Sequence, residues 1–298
     1  MSPQAAALVA LVTVALCAAA CASPAPTARP GVVRVVAGEN MWGSIAQQIG
    51  GSHVVVTSII TNPTADPHLY ESSAANAGAV AQADLVILNG AGYDTWLSQL
   101  VASTSRPRHD VLTVSHILHM AGAGANPHFW YDIPKIPTVA AAIAAALSSV
   151  DPRDAAAFHA GLRRFDMSLA PLDTAIAHIR NLDKGAPVAY TERLPAYLLA
   201  AAGLDNVSPI GFATSIEDGV DPSPADTAAM NALIIGHKIR VLLYNQQTVS
   251  SVTDHVRALA TREGIAVVAL TETLPHRYAT YQSWQLAQIT AIERALGR

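Results

Sequence analysis

Val32-Val33-Arg34-Val35-Val36-Ala37 is a short run rich in β-branched residues, which predicts a β-strand. Residues 39–49 follow with apolar side chains at helical spacing and end at two glycines, so we expect a helix there. Residues 53–60 then form a second β-branched run. A strand, a helix and a strand in such quick succession predict a βαβ unit, in which the two strands lie parallel.

The same alternation continues along the chain. In the first half it predicts a weak helix at 74–81, a buried strand at 84–90 and a helix at 93–101. In the second half it predicts strands at 186–190, 207–213, 240–244 and 265–270, with helices between them and an amphipathic helix at 281–296. The expected fold class is therefore α/β with parallel sheets in two halves.

Residues 151–181 separate these halves and have the pattern of one long helix. Asp151 and Pro152 suit the N-cap and the first helical position, and an apolar stripe continues behind them. Pro171 lies inside the stripe and should kink or interrupt the helix. We interpret the segment as a rigid connector between an N-terminal lobe at 32–150 and a C-terminal lobe at 182–298.

The N-terminus has the features of an export signal. Residues 1–21 contain an apolar run that is shorter than a membrane-spanning helix, and it ends at Cys21. Ala18-Ala19-Ala20-Cys21 resembles a bacterial lipobox, in which the cysteine is acylated; a plain secretory signal ending near Ala20 is the alternative. Residues 22–31 are rich in Pro, Ala, Ser and Thr, as expected for a flexible tether. We expect a protein outside the cytoplasmic membrane with a lipid anchor on Cys21.

Composition restricts the function classes. The 298-residue chain is 51% hydrophobic and 13% charged, which is typical of a globular protein. Its formal net charge of −4 gives no basic surface for nucleic acid, so we expect no nucleic-acid partner.

Two stretches present a histidine in the same way. Asp66-Pro67-His68 and Asn126-Pro127-His128 each place a short polar residue and a proline before the histidine, and aromatic residues follow. Proline fixes its own backbone angle and restricts the residue before it, so each histidine should sit on a stiff turn. Either motif alone is equally compatible with an ordinary turn histidine. Two such turns on separate loops suit a metal site.

Two carboxylates complete a candidate ligand set. Glu192 and Glu272 each follow a predicted strand of the second half, as His68 follows a strand of the first. Ligands of parallel sheets collect outside the carboxyl ends of the strands. Together with His128 these residues predict a site of two imidazoles and two carboxylates, a donor set that suits zinc, iron or manganese.

Asp66 and Asp132 lie close in sequence to the two histidines. We predict that they orient the imidazole rings, as outer carboxylates do at many metal sites. His116 and His119 are spaced to share one helical face, but no further ligands lie beside them. We expect both to be solvated.

The order of these motifs resembles the metal-binding solute receptors of bacterial ABC importers, the cluster A-I group for zinc, manganese or iron. The resemblance covers nearly the whole mature chain. It rests on Val36-Ala37-Gly38-Glu39-Asn40-Met41-Trp42, Asp66-Pro67-His68 with Tyr70-Glu71, Ala83-Asp84-Leu85-Val86-Ile87-Leu88-Asn89-Gly90 with Gly92-Tyr93 and Trp96-Leu97, Pro127-His128-Phe129-Trp130, Asp151-Pro152, Thr191-Glu192 and Thr271-Glu272.

The resemblance implies two α/β lobes, each with a parallel sheet of about four strands, joined by one long helix. It implies His68, His128, Glu192 and Glu272 as the ligands of one transported ion; the fourth position is usually Asp in the family, and here it is Glu272. It also implies a monomer that moves modestly and delivers its ion to an ABC permease with a cytoplasmic ATPase. A glutamate at the third position favours manganese or iron, whereas zinc has the higher affinity for most such sites. Mn2+ and Zn2+ both stay open, with Fe2+ as a third candidate.

Two other functions use similar features. A zinc-dependent hydrolase would have a similar ligand set, but it needs an open coordination position and a general base, and the chain contains no His-Glu-x-x-His motif. A siderophore-type receptor would share the two-lobed architecture but needs an aromatic or Arg-lined cleft. A surface lipoprotein without transport function is a third alternative. We predict a binding protein with no catalytic residues and no catalytic cofactor.

Overall fold

The computed structural model describes residues 31–64, 66–104, 110–122 and 124–297. The predicted signal segment, Cys21, all of the tether except Gly31, and His109 lie outside these ranges.

Two four-stranded sheets, all of whose strands are parallel, form the framework. The first sheet has the order β2-β1-β3-β4 and the second the order β6-β5-β7-β8. The strands are β1 (Val33–Glu39), β2 (Val54–Ile60), β3 (Leu85–Leu88), β4 (Asp110–Thr113), β5 (Pro187–Tyr190), β6 (Asp205–Asn206), β7 (Val241–Asn245) and β8 (Ala266–Leu270). The predicted α/β class with two parallel sheets is confirmed.

Helices connect the strands and cover the sheets. They are α1 (Asn40–Gly50), α2 (Ala74–Gln82), α3 (Thr95–Ser103), α4 (Val114–Ile117), α5 (Ile136–Val150), α6 (Ala155–Ser168), α7 (Ala170–Asp183), α8 (Ala196–Ala202), α9 (Ile210–Glu217), α10 (Pro224–Ile235), α11 (Ser251–Arg262) and α12 (Tyr281–Ala295). Short 3-10 turns occur at Gly51–His53, Pro67–Leu69, Phe129–Tyr131, Ile133–Lys135 and Pro152–Asp154.

The connector is two helices rather than one. α6 ends at Ser168 and α7 begins at Ala170, with Pro171 at the start of the second helix. Proline lacks an N–H and its ring clashes with the preceding turn, so the helix breaks here as predicted. α6 packs on α1 and α5 of the first half, whereas α7 packs on α8 and α12 of the second.

Two strand assignments differ from the sequence predictions. The sequence predicts a strand at 207–213, but the structure has a strand only at Asp205–Asn206, and Ile210–Glu217 is helix α9. Phe212 and Ile216 are both buried, and this four-residue spacing belongs to one face of a helix. The edge strand β4 was not predicted, because its side chains are largely exposed and do not form an apolar run.

One hydrophobic cluster extends through both halves of the chain. It includes Trp42 and Ile45 of the first half and Trp284 and Ile289 of the second, all fully buried. The segment Ile133–Val150 is long and apolar enough to cross a membrane. It nevertheless packs inside this cluster, with its helix α5 against α1 and α6.

Polar contacts also join the two halves. The side-chain amide of Asn40 donates to the main-chain oxygen of Leu274 at 2.7 Å, and the main-chain N–H of Leu274 donates to the Asn40 oxygen at 2.9 Å. The Tyr281 hydroxyl donates to the main-chain oxygen of Trp130 at 2.6 Å. The sheets are thereby held with the carboxyl ends of their strands around a common cleft.

Candidate metal centre

His68 lies in the 3-10 turn Pro67–Leu69, which follows β2. The Asp66 carboxylate accepts a hydrogen bond from the main-chain N–H of His68 at 2.9 Å. Asp66 therefore acts on His68 through the backbone turn that carries the histidine. The His68 side chain is 16% exposed.

His128 is fully buried and its ring is oriented by Asn126. The Asn126 side-chain oxygen lies 2.7 Å from His128 Nδ1, and the Asn126 amide nitrogen donates to the main-chain oxygen of Arg193 at 2.8 Å. An amide oxygen only accepts, so Nδ1 carries the hydrogen and Nε2 is the atom free to bind a metal.

The prediction for Asp132 is wrong. Its carboxylate lies 3.5 Å from Lys135 Nζ and makes no contact with His128 in the described structure. The backbone after His128 is the 3-10 turn Phe129–Tyr131, with three residues per turn, so a residue four positions on lies on a different face. Asn126, two residues before the histidine, takes the orienting role instead.

Glu192 and Glu272 lie just beyond the carboxyl ends of β5 and β8, and both are buried. Asn245, the last residue of β7, donates from its side-chain amide to Glu192 Oε2 at 2.6 Å and to Glu272 Oε1 at 2.7 Å. The two remaining carboxylate oxygens, Glu192 Oε1 and Glu272 Oε2, face the histidines.

The four predicted ligand residues therefore come together. His68 Nε2 lies 3.4 Å from Glu192 Oε1 and 3.3 Å from Glu272 Oε2. For His128 Nε2 the corresponding distances are 3.2 Å and 3.6 Å. One ligand atom from each of the four residues can be chosen so that all lie within 4.8 Å of one another.

Three of these ligand atoms lack a hydrogen-bond partner although they are buried. They are His68 Nε2, His128 Nε2 and Glu192 Oε1. Buried polar atoms are nearly always partnered, and the exceptions need an explanation. Two nitrogen and two oxygen atoms that converge on one point fit a divalent transition-metal ion, to which each would donate a lone pair once the imidazoles are neutral.

The electrostatics of the metal-free cluster are those of two ion pairs. Burial alone lowers the pKa of His128, but the two carboxylates beside it outweigh burial and raise that pKa to about 9. The pKa of His68 is likewise raised well above its usual value. Burial alone would raise the pKa of Glu192 and Glu272, but the two histidines lower it. The histidines have the larger effect, so the pKa of each carboxylate is below its usual value and both are ionised.

Aromatic residues enclose the cluster. The Tyr93 hydroxyl donates to Glu272 Oε2 at 2.7 Å, a contact between the two halves of the chain. The ring centroids of Tyr93 and Trp130 lie 5.9 Å and 5.2 Å from that of His128. Aromatic walls lower the local dielectric constant and so strengthen the charge interactions inside.

Sequence reasoning did not assign roles to Tyr93, Asn126 and Asn245. Asn245 carries a signal that could have identified it, because it directly follows a buried apolar run, and Glu192 and Glu272 each follow such a run one position later. Tyr93 carries no comparable local signal.

The two described histidines between the motifs, His116 and His119, take no part in the cluster. His116 lies in α4 and His119 lies beyond the end of that helix with a positive φ of 56°, so they do not share a helical face. Both are exposed, as predicted. In the ranges that the structure covers, the four residues above are the single group of metal-ligand type.

Known proteins that resemble this chain in sequence are named for metal binding. The chain is 29% identical over 157 residues to the manganese-binding lipoprotein MntA of Bacillus subtilis, a match that covers 49% of this chain and 51% of that protein. It is 24% identical over 133 residues to the zinc-binding protein TroA of Treponema pallidum, covering 43% and 42% of the two chains. The chain thus matches about half the length of these curated relatives.

Solved structures share the fold over nearly the full length. The periplasmic zinc-binding protein TroA of Treponema pallidum superposes with a TM-score of 0.77 at 19% identity, covering 90% of this chain and 100% of that chain. FpvC of Pseudomonas aeruginosa in complex with Mn2+ gives a TM-score of 0.75 at 22% identity, covering 89% and 98%.

The family model "Zinc-uptake complex component A periplasmic" (ZnuA) matches residues 35–295. This match covers most of the chain and confirms the resemblance to metal-binding solute receptors that the sequence motifs indicated. The chain belongs to the ZnuA family.

Proposed function

We propose that this protein is an extracytoplasmic substrate-binding protein that captures one divalent transition-metal ion between its lobes and delivers it to an ABC permease. The observation that carries the proposal is the convergence of four buried ligand atoms, three of them without a hydrogen-bond partner. His68, His128, Glu192 and Glu272 would hold the ion, and two carboxylates would balance its two positive charges in a dry site.

Mn2+ and Zn2+ are the two candidate ions, with Fe2+ a third. Relatives are named for manganese, iron and zinc binding. Imidazole nitrogens suit zinc and iron, whereas carboxylates also suit manganese. The ion is the cargo of the protein, and we propose no catalytic cofactor.

The geometry disfavours the two alternative functions. A zinc hydrolase keeps one coordination position open for water, whereas four protein ligands would close a tetrahedral shell. A siderophore-type receptor needs room for an organic molecule, but here the ligand atoms themselves lie within 4.8 Å of one another. We therefore propose binding without catalysis.

The N-terminal sequence supports the cellular location. We propose that residues 1–21 direct export, that Cys21 is acylated, and that residues 22–31 tether a monomeric receptor to the outer face of the cell membrane. The relatives in Bacillus subtilis and Streptococcus pyogenes are named lipoproteins. A permease and its ATPase would be the transport partners.

Elemental analysis of the protein purified without added metal tests the proposal, followed by competition of Mn2+ against Zn2+. We expect one ion per chain. Alanine at any one of His68, His128, Glu192 or Glu272 should lower affinity strongly, whereas His116→Ala, which changes an exposed histidine outside the cluster, should not. If the four single variants bind one ion with unchanged affinity, the site assignment is wrong.

A further inference from the structure

Asn245 is the residue through which the two candidate carboxylate ligands are connected. It is 2% exposed and ends strand β7. Its main-chain N–H donates to Thr191 Oγ1 at 3.2 Å, and its side-chain oxygen accepts from the main-chain N–H of Gln247 at 3.0 Å. The side-chain oxygen faces a donor, so the amide NH2 group must face the carboxylates.

This NH2 group engages one oxygen of each carboxylate. Its nitrogen lies 2.6 Å from Glu192 Oε2 and 2.7 Å from Glu272 Oε1. Thr248 Oγ1 also lies 2.8 Å from this nitrogen and 3.5 Å from Glu272 Oε1. The amide has two hydrogens, and the two charged carboxylate oxygens at the shorter distances are its stronger acceptors. Each glutamate thus has one oxygen on the histidine side of the cluster, Glu192 Oε1 and Glu272 Oε2, and the Tyr93 hydroxyl also donates to Glu272 Oε2.

The number of carboxylate oxygens that reach an ion decides its coordination number. With one oxygen from each glutamate and two imidazole nitrogens, the protein offers four donors, which is the number that zinc takes in closed sites. With both oxygens of each glutamate it would offer six donors, the number that manganese accepts in octahedral sites. An amide held between the two far oxygens opposes the second arrangement.

We propose that Asn245 is a positioning residue that restricts Glu192 and Glu272 to one-oxygen coordination and thereby favours four-coordinate Zn2+ over Mn2+. The inference rests on the proposed function, because it concerns the same ion site. It assigns to Asn245 a selectivity role beyond the stabilisation of buried carboxylates.

The test compares the wild-type protein with Asn245→Ala, using Co2+ as a spectroscopic probe and Zn2+ against Mn2+ in competition. Four-coordinate Co2+ absorbs visible light much more strongly than five- or six-coordinate Co2+. We expect the strong spectrum in the wild type and a weak one in the variant. We expect the Zn2+ to Mn2+ affinity ratio to fall by roughly 10–100-fold, the usual size of outer-residue effects at metal sites.

Asn231→Ala is the matched control, because it makes the same chemical change on helix α10, outside the cluster. It should leave the Co2+ spectrum and the affinity ratio unchanged. Thr248→Val removes the hydroxyl that lies 2.8 Å from the Asn245 amide nitrogen and 3.5 Å from Glu272 Oε1. It should shift both measurements in the same direction as Asn245→Ala, but less.

The outcomes separate the two proposals. A wild-type Co2+ spectrum of six-coordinate type, or an unchanged ratio and spectrum in Asn245→Ala, would overturn the role of Asn245. If Asn245→Ala does not fold, the wild-type spectrum and Thr248→Val decide the question. If the wild type binds none of the three ions stoichiometrically, the proposed function itself is wrong.

Discussion

Metal binding should release protons from this protein, and the number follows from the cluster. Without metal, burial lowers the pKa of His128 but the facing carboxylates of Glu192 and Glu272 raise it to about 9. At pH 7 about 99% of a group with this pKa is protonated. A metal binds neutral imidazole, so each ion must displace about one proton from His128.

His68 should contribute to the same release, because its pKa is also raised well above the usual value. We therefore expect between one and two protons per ion at pH 7. The affinity for Zn2+ or Mn2+ should rise by about tenfold per pH unit for each proton released. The increase should become smaller as pH approaches 9, where His128 loses its proton without a metal.

Isothermal titration calorimetry measures this release directly. Titrations of Zn2+ or Mn2+ at one pH in buffers with different protonation enthalpies give the proton count from the slope of heat against buffer enthalpy. His255→Ala, a change at an exposed histidine on α11, is the control and should give the wild-type count. A buffer-independent heat together with a pH-independent affinity would refute the ion-pair description of the cluster.

Three further predictions concern stability and exchange. Protonated His128 stabilises the metal-free fold because its pKa is raised to about 9 in the folded protein. This contribution is complete below about pH 6.5 and is lost as the pH rises to about 9. With a chelator present, thermal unfolding should therefore occur at a lower temperature at pH 9 than at pH 6.5. Gly161→Ala would place a Cβ 2.0 Å from the main-chain oxygen of Ile49, which should cost about 1–3 kcal/mol of unfolding free energy in denaturant titrations. Gly78→Ala, on α2 with open space around it, should instead stabilise the folded protein by about 0.5–1 kcal/mol. Equal changes in unfolding free energy for the two variants would contradict the packing argument. Asn40→Ala removes the paired contact between the two halves and should increase the rate at which a chelator extracts the ion; an unchanged rate would show that this contact does not restrain the cleft.

The four candidate ligands could be predicted because their positions depend on local sequence. A proline before a histidine fixes a turn within three residues, and a buried apolar run that ends in a carboxylate marks the carboxyl end of a parallel strand. Both signals are present around His68, His128, Glu192 and Glu272 and require no knowledge of distant contacts.

The residues that orient these ligands depend instead on tertiary structure. Asn245 is 53 residues from Glu192 and 27 from Glu272 in the chain, and Tyr93 is 179 residues from Glu272. The Asp132 prediction failed for the same reason, because closeness in sequence to His128 does not give the direction of its ring. Edge strands such as β4 were missed because partial exposure removes the apolar pattern that identifies a central strand.

The unequal exposure of the four ligands implies an order of events during ion exchange. His68 is 16% exposed on a short turn, whereas the side chains of His128, Glu192 and Glu272 are fully enclosed. The enclosed ligands belong to a cleft whose two sides share one hydrophobic cluster, so separating them would expose apolar surface. We expect an arriving ion to reach the partly exposed His68 first and then to exchange its remaining water for the three enclosed ligands. By microscopic reversibility, His68 is the last ligand to release the ion, from a turn that Pro67 and the Asp66 carboxylate hold in place.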